Sequence, residues 1–345
     1  MARISLGISR FNVVRTVPQV LALDIGSRFT KIAMNGKVVF LEPTQVVYHR
    51  GTEVVISSGE AAAKQEHGLS QDLSTLFPIE YGRVAQQQML AEYLTQAFAK
   101  VIIQPKFSVV PSAIPVKLAL PVELTQLQKK LYFDSLRLAR LQVSGSTAGV
   151  LAALRAAQSE NLLATTGILV DIGAMQTQIS VIIGGELKHA ARLQWGGKNL
   201  TQLVQKIVRD RYQTEINWST AEQIKHSIGT LKPDKKESLP HLVVRGRNSV
   251  TNMPASLTLK ASEFSEELFQ AVLGWLTDVS MVLGTFPGSQ IAEAFEAGIM
   301  MYGGGSLLKG LRLTIQKVLH TSVSRPTRPQ TIVVEFTHHV TESNT

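Results

Sequence analysis

The sequence has no cysteine, few aromatic residues (6%) and fewer acidic than basic residues. The absence of cysteine excludes disulfides and thiolate metal sites, and it is typical of proteins from a reducing compartment. No apolar run approaches the roughly 18 residues that a membrane-spanning helix needs. We therefore expect a cytoplasmic protein, with enough hydrophobic residues (44% of 345) to bury a substantial core.

The shortage of acidic residues indicates an anionic partner. Lysine and arginine number 35 against 26 aspartate and glutamate, which gives a net charge of +9. A surplus of this size favours acidic lipid, polyphosphate or nucleic acid. We expect no nucleic acid, because no nucleic-acid motif accompanies the charge. We favour a membrane surface, with residues 1–16 as a candidate interfacial anchor that has three arginines and apolar residues at helical spacing. A disordered lead-in is the alternative there.

Two stretches of the chain are versions of one another. Residues 20–38 read VLALDIGSRFTKIAMNGKV, and residues 168–188 read ILVDIGAMQTQISVIIGGELK. Each runs from an apolar strand into Asp-Ile-Gly and then through a threonine into a second β-rich strand. The copies lie much farther apart than the units of a solenoid. The duplication therefore predicts two similar domains that face each other across a cleft.

The residue types of these hairpins suit a phosphate site. Glycine lets the backbone approach a ligand closely, and the polar groups around a turn donate to phosphate oxygens. Asp24 and Asp171 suit a hydrated Mg²⁺, which takes only one or two carboxylates. The candidate donors around the two turns are Ser27, Arg28, Thr30, Gln176 and Thr177. For one copy alone, an ordinary strand-to-turn junction is the alternative.

Two further segments offer groups that would fit a nucleotide. Residues 298–310 read GIMMYGGGSLLKG, which predicts a strand, a glycine turn and a helix. The apolar side predicted for that helix consists of Leu307, Leu308, Leu311, Ile315 and Val318. Residues 220–230 predict another helix with Glu222 and Lys225 on one face, for which a solvated ion pair is the alternative.

Together these segments resemble the superfold of actin, Hsp70 and the sugar kinases, and within it the bacterial rod-shape actins of the MreB family. The more specific motifs are LEPT (41–44), SGEAAAK (58–64), FPIEYGRV (77–84), AEQIKHSIG (221–229), VRGRN (244–248) and the glycine-rich segment at 298–310. The resemblance implies an α/β, actin-like ATPase fold with two similar domains flanking a nucleotide cleft. Residues 1–145 and a returning segment, 320–345, would form domain I, and residues 146–319 would form domain II.

The same resemblance implies ATP and Mg²⁺ as cofactors, with Asp24 and Asp171 at the metal. Glu222 would bind the ribose and Lys225 would lie beside the adenine. The implied nucleotide-binding residues are Asp24, Gly26, Ser27, Arg28, Thr30, Asp171, Gly173, Ala174, Thr177, Glu222, Lys225, Gly303, Gly304 and Gly305.

The second phosphate loop departs from the family pattern, DIGGGTTE, and reads DIGAMQTQ. Ala174 and Met175 carry a Cβ, which is poorly suited to close phosphate approach. The hydrolytic loop of the family corresponds to residues 141–146, which contain no carboxylate. The candidate catalytic residues are Gln142, Ser144 and Thr177. We therefore expect ATP binding with slow or absent hydrolysis, which leaves open whether the chain is an enzyme.

The expected function is cytoskeletal. The chain would assemble with itself into filaments at the inner face of the cytoplasmic membrane, determine cell shape and contact cell-wall synthesis or elongation proteins. A pseudo-ATPase interaction scaffold is one alternative. A small-molecule kinase of the same superfold is another, but it would need a carboxylate base in the cleft.

Flanking segments predict further elements. A helix is expected over residues 86–101, with an apolar face formed by Met89, Leu90, Tyr93, Leu94, Ala97, Phe98 and Val101. A second helix is expected over 125–140, with Leu127, Leu131, Leu138 and Leu141 as its apolar residues. Between them, residues 102–115 predict a proline-rich loop, and residues 231–240 predict a charged connector.

Overall fold

The computed structural model describes residues 20–65, 70–102, 114–231 and 241–339. The candidate anchor at 1–16, most of the proline-rich loop at 102–115 and most of the connector at 231–240 lie outside these ranges. Within them, no helix combines the length and the apolar character needed to cross a bilayer.

Strands and helices alternate along the chain. The strands are β1 (Leu21–Ile25), β2 (Phe29–Met34), β3 (Lys37–Pro43), β4 (Val46–His49), β5 (Val55–Ser58), β6 (Leu73–Leu76), β7 (Ile79–Glu80), β8 (Arg83–Val84), β9 (Ile114–Leu120), β10 (Leu141–Ala148), β11 (Gly167–Ile172), β12 (Thr177–Ile183), β13 (Glu186–Leu193), β14 (Thr214–Glu215), β15 (His241–Asn248), β16 (Pro254–Lys260), β17 (Ile299–Tyr302) and β18 (Val323–Ser324). The α-helices are α1 (Glu60–Gln65), α2 (Gln87–Ile102), α3 (Gln126–Leu138), α4 (Gly149–Ser159), α5 (Gly197–Tyr212), α6 (Trp218–Ile228), α7 (Ser265–Leu283), α8 (Gly288–Ala297), α9 (Leu311–Leu319) and α10 (Ile332–Phe336). Short 3-10 helices lie at Ala261–Glu263, Gly304–Leu307 and Thr337–His339.

Two five-stranded sheets share one topology. The first has the order β3-β2-β1-β9-β10, and the second has the order β13-β12-β11-β17-β18. In each sheet, neighbouring strands among the first three in this order are antiparallel. The last two strands run parallel to the first strand of the Asp-Ile-Gly hairpin, which is β1 or β11. The predicted duplication and the α/β, actin-like fold are thus confirmed.

Each sheet buries its own hydrophobic core. In the first core, α2 buries all seven residues of its predicted apolar face. The second core lies beneath α5, α6 and α7, where the Trp195 and Trp275 rings stack with their centroids 4.8 Å apart. A third cluster packs α4 and α10 against both sheets. These cores fix the two hairpins to rigid sheets.

The apolar face predicted for α3 is wrong. Leu127 and Leu138 are 68% and 53% exposed, and Leu141 lies in β10. The helix instead buries Tyr132, Ser135 and Leu136. Its buried face is therefore rotated away from the face that carries the predicted leucines. Tyr132 determines this orientation, because its ring is fully buried and its hydroxyl donates to Gly82 O at 3.1 Å. An aromatic ring with one hydrogen-bonded end outweighs a leucine in area buried.

The apolar side predicted for α9 is correct only in part. Leu311 and Ile315 are buried, whereas Leu307 and Val318 are 44% and 40% exposed. Leu307 belongs to the 3-10 helix before α9 and therefore does not continue its helical periodicity.

The C-terminal stretch contacts both sheets. β18 pairs with β17 in the second sheet, whereas α10 packs on α4 and on β1 and β2 of the first. Beyond α10, Lys117 Nζ of β9 donates to His338 O at 3.3 Å. The crossing between the sheets therefore follows Ser324, while the domain boundaries at 145 and 319 stay a prediction.

Candidate functional site

The turns of the two hairpins have the same geometry. The Gly26 N–H donates to Phe29 O at 3.0 Å, and the Gly173 N–H donates to Gln176 O at 2.9 Å. A Cβ on Gly26 or Gly173 would lie 2.9 Å or 3.0 Å from the same carbonyl oxygen. Glycine at both positions therefore allows the same tight turn.

The threonines that follow these turns point into the cores. Thr30 Oγ1 shares a hydrogen bond with Thr44 Oγ1 at 2.9 Å, and Thr177 Oγ1 donates to Trp195 O at 2.9 Å. Both threonines are fully buried. Their hydroxyl groups hold the hairpins in place, while the roles of Thr30 as a phosphate donor and of Thr177 as a catalytic residue stay predictions.

The two predicted metal-binding aspartates have different partners. Asp24 on β1 lies opposite Lys31 on β2, and Lys31 Nζ is 2.8 Å from Asp24 Oδ2. Asp171 on β11 lies opposite Gln178 on β12, which occupies the position equivalent to Lys31. Sequence reasoning missed Lys31, although its spacing from Asp24 across a tight hairpin places the two side chains on one face.

The two aspartates come within electrostatic reach of each other. Burial raises the pKa of Asp171 to about 7, while Lys31 lowers it and Asp24 raises it further. The Asp171 carboxyl therefore holds its proton to a higher pH than an exposed aspartate does.

Asp171→Asn should stabilise the protein at pH 8 and much less at pH 5. The pKa of Asp171 is higher in the folded state than in the unfolded state, so its contribution to stability falls as pH rises from about 4 to 7. Because one pKa unit corresponds to about 1.4 kcal/mol and the carboxyl keeps some hydration, we expect a gain of about 1 to 3 kcal/mol at pH 8. Urea unfolding at both pH values measures the gain. Asp210→Asn, at an exposed position on α5, is the control, and a gain independent of pH would contradict the prediction.

Arg28 crosses from the first hairpin to the opposite side of the cleft. Its guanidinium donates to Glu222 Oε2 on α6 at 2.5 Å and to Gln45 Oε1 at 3.0 Å. The Arg28 and Glu222 side chains are only 13% and 15% exposed. The guanidinium carbon lies 5.3 Å from the centroid of the Phe77 ring. The predicted phosphate donor and the predicted ribose acceptor are thus paired with each other.

Lys225 faces α5. Its ammonium donates to Gly197 O at 3.1 Å and to Thr201 Oγ1 at 2.7 Å. Burial lowers the pKa of Lys225 to about 8, with the neighbouring Glu222 opposing the change. The predicted helix is confirmed as α6, and Glu222 and Lys225 each bind a partner on another element.

A glycine pair that sequence reasoning missed supports the second turn. The Gly197 N–H donates to Gly173 O at 3.0 Å, and the Lys198 N–H donates to Ala174 O at 2.7 Å. A Cβ on Gly196 would lie 2.6 Å from Gly173 O. The N-terminus of α5 therefore holds the second turn from behind, and the WGGK sequence after β13 was the available signal.

The predicted glycine run packs against the end of β11. Gly303 has φ +78°, and a Cβ there would overlap Asp171 Oδ1 and lie 2.7 Å from Ile172 O. A Cβ on Gly305 would lie 2.9 Å from Ile172 O, whereas Gly304 has space around it. Gly303 and Gly305 thus allow the glycine turn to pack directly against the end of β11, beside Asp171.

The turn at Tyr81 and Gly82 touches both hairpins and was also missed. Both residues have positive φ, and the Gly82 N–H donates to Ser27 Oγ at 3.2 Å. A Cβ on Gly82 would lie 2.5 Å from Gln176 Nε2, and Lys198 Nζ lies 5.6 Å from the Tyr81 ring. The FPIEYGRV motif therefore closes one side of the space between the two turns.

The segment predicted as the hydrolytic loop, residues 141–146, is not a loop but part of strand β10. The catalytic roles of Gln142 and Ser144 stay predictions. Gln142 pairs with Pro115, four residues before Ala119, which is the residue of β9 that pairs with Asp24. At 3.3 Å per residue, Gln142 lies about 13 Å along the strand from the level of Asp24.

Ser144 is also displaced from the level of Asp24, at a bulge, and its hydroxyl donates to Val116 O at 3.2 Å. The residue of β10 level with Asp24 is Thr147, which pairs with Ala119. Across the part of the chain that the structure describes, no three His, Asp or Glu side chains form a group that could hold a metal ion.

Two equivalent sheets, each with a glycine turn at the cleft between them, define an actin-like protein. The family model of the MreB/Mbl protein matches residues 18–345, so the chain belongs to the MreB/Mbl family. The cell shape-determining protein MreB of Escherichia coli (strain K12) is 26% identical over 300 residues, which is 84% of each chain. The cell shape-determining protein Mbl of Bacillus subtilis is 23% identical over 309 residues, covering 88% of this chain and 90% of the relative.

Solved structures share the fold. MreB 5 of Spiroplasma citri bound to AMPPNP superposes with a TM-score of 0.82 at 21% identity, covering 94% of this chain and 96% of the other. The MamK double helical filament superposes with a TM-score of 0.72 at 17% identity, covering 93% and 97%.

Proposed function

We propose that this protein is an actin-like cytoskeletal protein that binds ATP, assembles with copies of itself into filaments and determines cell shape. Membership of the MreB/Mbl family supports the cellular role, because relatives along most of the chain are cell shape-determining proteins. The MamK filament of the same fold supports self-assembly. Proteins at the cell wall that direct elongation would be its further partners.

The pair of equivalent glycine turns carries the nucleotide part of the proposal. They present backbone from two rigid sheets to one space, with Ser27, Arg28 and Lys31 on one side. This arrangement suits the phosphates of a nucleotide, to which hydroxyl and cationic groups donate. The Spiroplasma citri relative was crystallised with AMPPNP and with ADP.

We propose that hydrolysis is slow. The residue of β10 at the level of Asp24 is Thr147, which has no carboxylate, and the Thr177 hydroxyl is engaged with Trp195 O. A positioned base contributes roughly 100-fold or more to such a reaction. Phosphate release from assembled protein should therefore lag far behind assembly, and brisk release would overturn this part of the proposal.

A sedimentation assay with ATP, with ADP and without nucleotide tests the function, with electron microscopy of the pellet. We expect filaments that depend on ATP. The second candidate function is a scaffold that does not respond to nucleotide. The Arg28–Glu222 ion pair favours it, because this pair engages two side chains that were predicted to bind the nucleotide. That scaffold would assemble equally in all three conditions, and absence of filaments in all of them would contradict self-assembly.

We also propose contact with the inner face of the cytoplasmic membrane through residues 1–16. Deleting them should weaken sedimentation with anionic vesicles, and salt should weaken it further. Each basic residue near such a surface contributes only about 1 kcal/mol and is screened by ions. The filament would multiply this weak anchor, so the truncated protein should still assemble but leave the vesicles. Unchanged vesicle binding after truncation would place the contact elsewhere.

A further inference from the structure

Arg28 is anchored to the side of the first sheet before it reaches across the cleft. Its guanidinium donates to Gln45 Oε1 at 3.0 Å, and the Gln45 amide donates in turn to Thr75 Oγ1 at 2.9 Å. Gln45 is fully buried. The guanidinium carbon also lies 5.7 Å and 5.3 Å from the centroids of the Phe29 and Phe77 rings. An arginine that is held by aromatic faces and a fixed amide loses little further freedom when it forms an ion pair.

Glu222 belongs to the opposite half of the molecule. It lies on α6, whose residues Ala221, Ile224 and Ile228 are buried in the core of the second sheet. Its Oε2 accepts from the Arg28 guanidinium at 2.5 Å, although the two residues are 194 positions apart in the chain. The ion pair therefore joins the turn of the first hairpin directly to a helix of the second core.

A second ion pair between the two halves is longer and more exposed. Arg192 on β13 donates to the backbone oxygen of Glu123 at 3.0 Å, while its Nε lies 3.9 Å from the Glu123 carboxylate. The Glu123 side chain is 46% exposed, whereas neither side chain of the Arg28–Glu222 pair exceeds 15%. Exposed pairs contribute little, but breaking a buried pair leaves an uncompensated charge. Of these two ion pairs, Arg28–Glu222 is therefore the one that more strongly opposes separation of the halves.

The pair engages the carboxylate that the family resemblance assigns to the ribose. A ribose hydroxyl would donate to Glu222, as the guanidinium of Arg28 does, so the two compete for the same carboxylate oxygens. Because Arg28 is also held by Gln45 and the two rings, its guanidinium is directed at Glu222. The phosphates are then left to the backbone of the turns and to Ser27 and Lys31. Arg28 is thus placed as a competitor of the nucleotide.

We infer that the Arg28–Glu222 pair is a latch, which holds the cleft closed without nucleotide and which the nucleotide opens by taking Glu222 from Arg28. The inference rests on the proposed nucleotide binding. Only molecules with an open latch are competent to bind, so the apparent affinity for nucleotide falls by the fraction that is open. Once bound, the nucleotide contacts both glycine turns, and the halves are then joined through the ligand instead of through Arg28. The latch therefore regulates the affinity of the site.

The first test is ATP affinity, measured by calorimetry on the full chain in excess MgCl₂. Arg28→Met removes the charge and keeps an unbranched apolar side chain at this position. It should bind ATP about 5- to 30-fold more tightly than the parent protein, since the latch no longer competes for Glu222. The control is Arg137→Ala, which breaks an ion pair with Asp134 on α3 in which the arginine is 80% exposed. This variant should bind ATP like the parent.

The width of the cleft is measured separately, by pulsed electron spin resonance between two spin-labelled cysteines. The chain has no cysteine of its own, so Thr52→Cys and Ser256→Cys supply the labelled positions. Thr52 lies in the exposed turn between β4 and β5, and Ser256 is exposed on β16, which packs on the second core. Without nucleotide, the parent should give one narrow distance distribution. Arg28→Met and Glu222→Gln should each give a broader distribution with longer distances, and ATP should narrow that of Arg28→Met again.

The outcomes separate the latch from the proposed function. ATP binding by Arg28→Met that is equal to or weaker than that of the parent would overturn the latch, and weaker binding would make Arg28 a phosphate donor instead. Unchanged label distances in both Arg28→Met and Glu222→Gln would overturn it as well. Failure of the parent and of Arg28→Met to bind ATP would overturn the nucleotide part of the proposed function, while the label distances would still decide whether this pair closes the cleft.

Discussion

Replacing Glu222 with alanine should lower the free energy of unfolding by about 2 to 4 kcal/mol, since breaking a buried ion pair leaves an unpaired charge. Glu222 Oε2 lies 2.5 Å from the Arg28 guanidinium, and neither side chain is more than 15% exposed. Arg28 keeps its contacts with Gln45 and with the Phe77 ring, so the loss should be smaller than for a fully isolated charge. Equilibrium urea unfolding of the parent and the variant measures it.

The Arg247–Glu215 ion pair provides a matched control. Its atoms are 2.9 Å apart, but its side chains are 61% and 51% exposed. Glu215→Ala should therefore cost less than about 1 kcal/mol. A double-mutant cycle of Arg28→Ala and Glu222→Ala should give a coupling energy above about 1 kcal/mol. Equal costs for Glu222→Ala and Glu215→Ala would mean that the cleft is not closed by this ion pair in solution.

Replacing Gly303 with alanine should destabilise the protein by more than about 2 kcal/mol, because both the backbone conformation and the space require glycine there. The residue has φ +78°, and a Cβ would overlap Asp171 Oδ1 and lie 2.7 Å from Ile172 O. Ile172 O is a backbone atom, so a side-chain rotation cannot relieve this contact. Thermal unfolding and ATP affinity should both decline, since Asp171 is displaced.

Gly304→Ala is the matched control for Gly303→Ala. The nearest atoms to a Cβ on Gly304 belong to the Gln330 side chain, at 3.6 Å or more. We expect a change within about 0.5 kcal/mol. If the two variants were equally stable, the close approach of the glycine turn to Asp171 would be contradicted.

Local patterns in the sequence predicted the parts of the fold that depend on periodicity. The apolar face of α2 was correct at all seven positions, because a helix buried on one side repeats its apolar residues at fixed spacing. The two Asp-Ile-Gly hairpins were recognised because each has the same strand, turn and strand. The buried face of α3 was predicted wrongly. Tyr132 and the leucines compete for the core, and only packing decides between them.

The candidate site was predicted less completely than the fold. The sequence identified three carboxylates of a cleft, Asp24, Asp171 and Glu222, and the glycine turns beside them. It missed Lys31 and the Tyr81–Gly82 turn, which the structure brings to the same place. It could not show that Gln142 and Ser144 lie away from the level of Asp24, because only the strand register shows which residue of β10 lies there.

The sequence by itself determined the duplicated hairpins, the glycines that tighten their turns and the charge available in each copy, since these depend on neighbours in the chain. The tertiary structure alone decided how those charges are used. Arg28 and Glu222 are 194 residues apart in sequence, yet their side chains are paired across the cleft. Whether a carboxylate binds a metal, a ribose or another side chain depends on which groups reach it first, and such distances arise only when both sheets have packed.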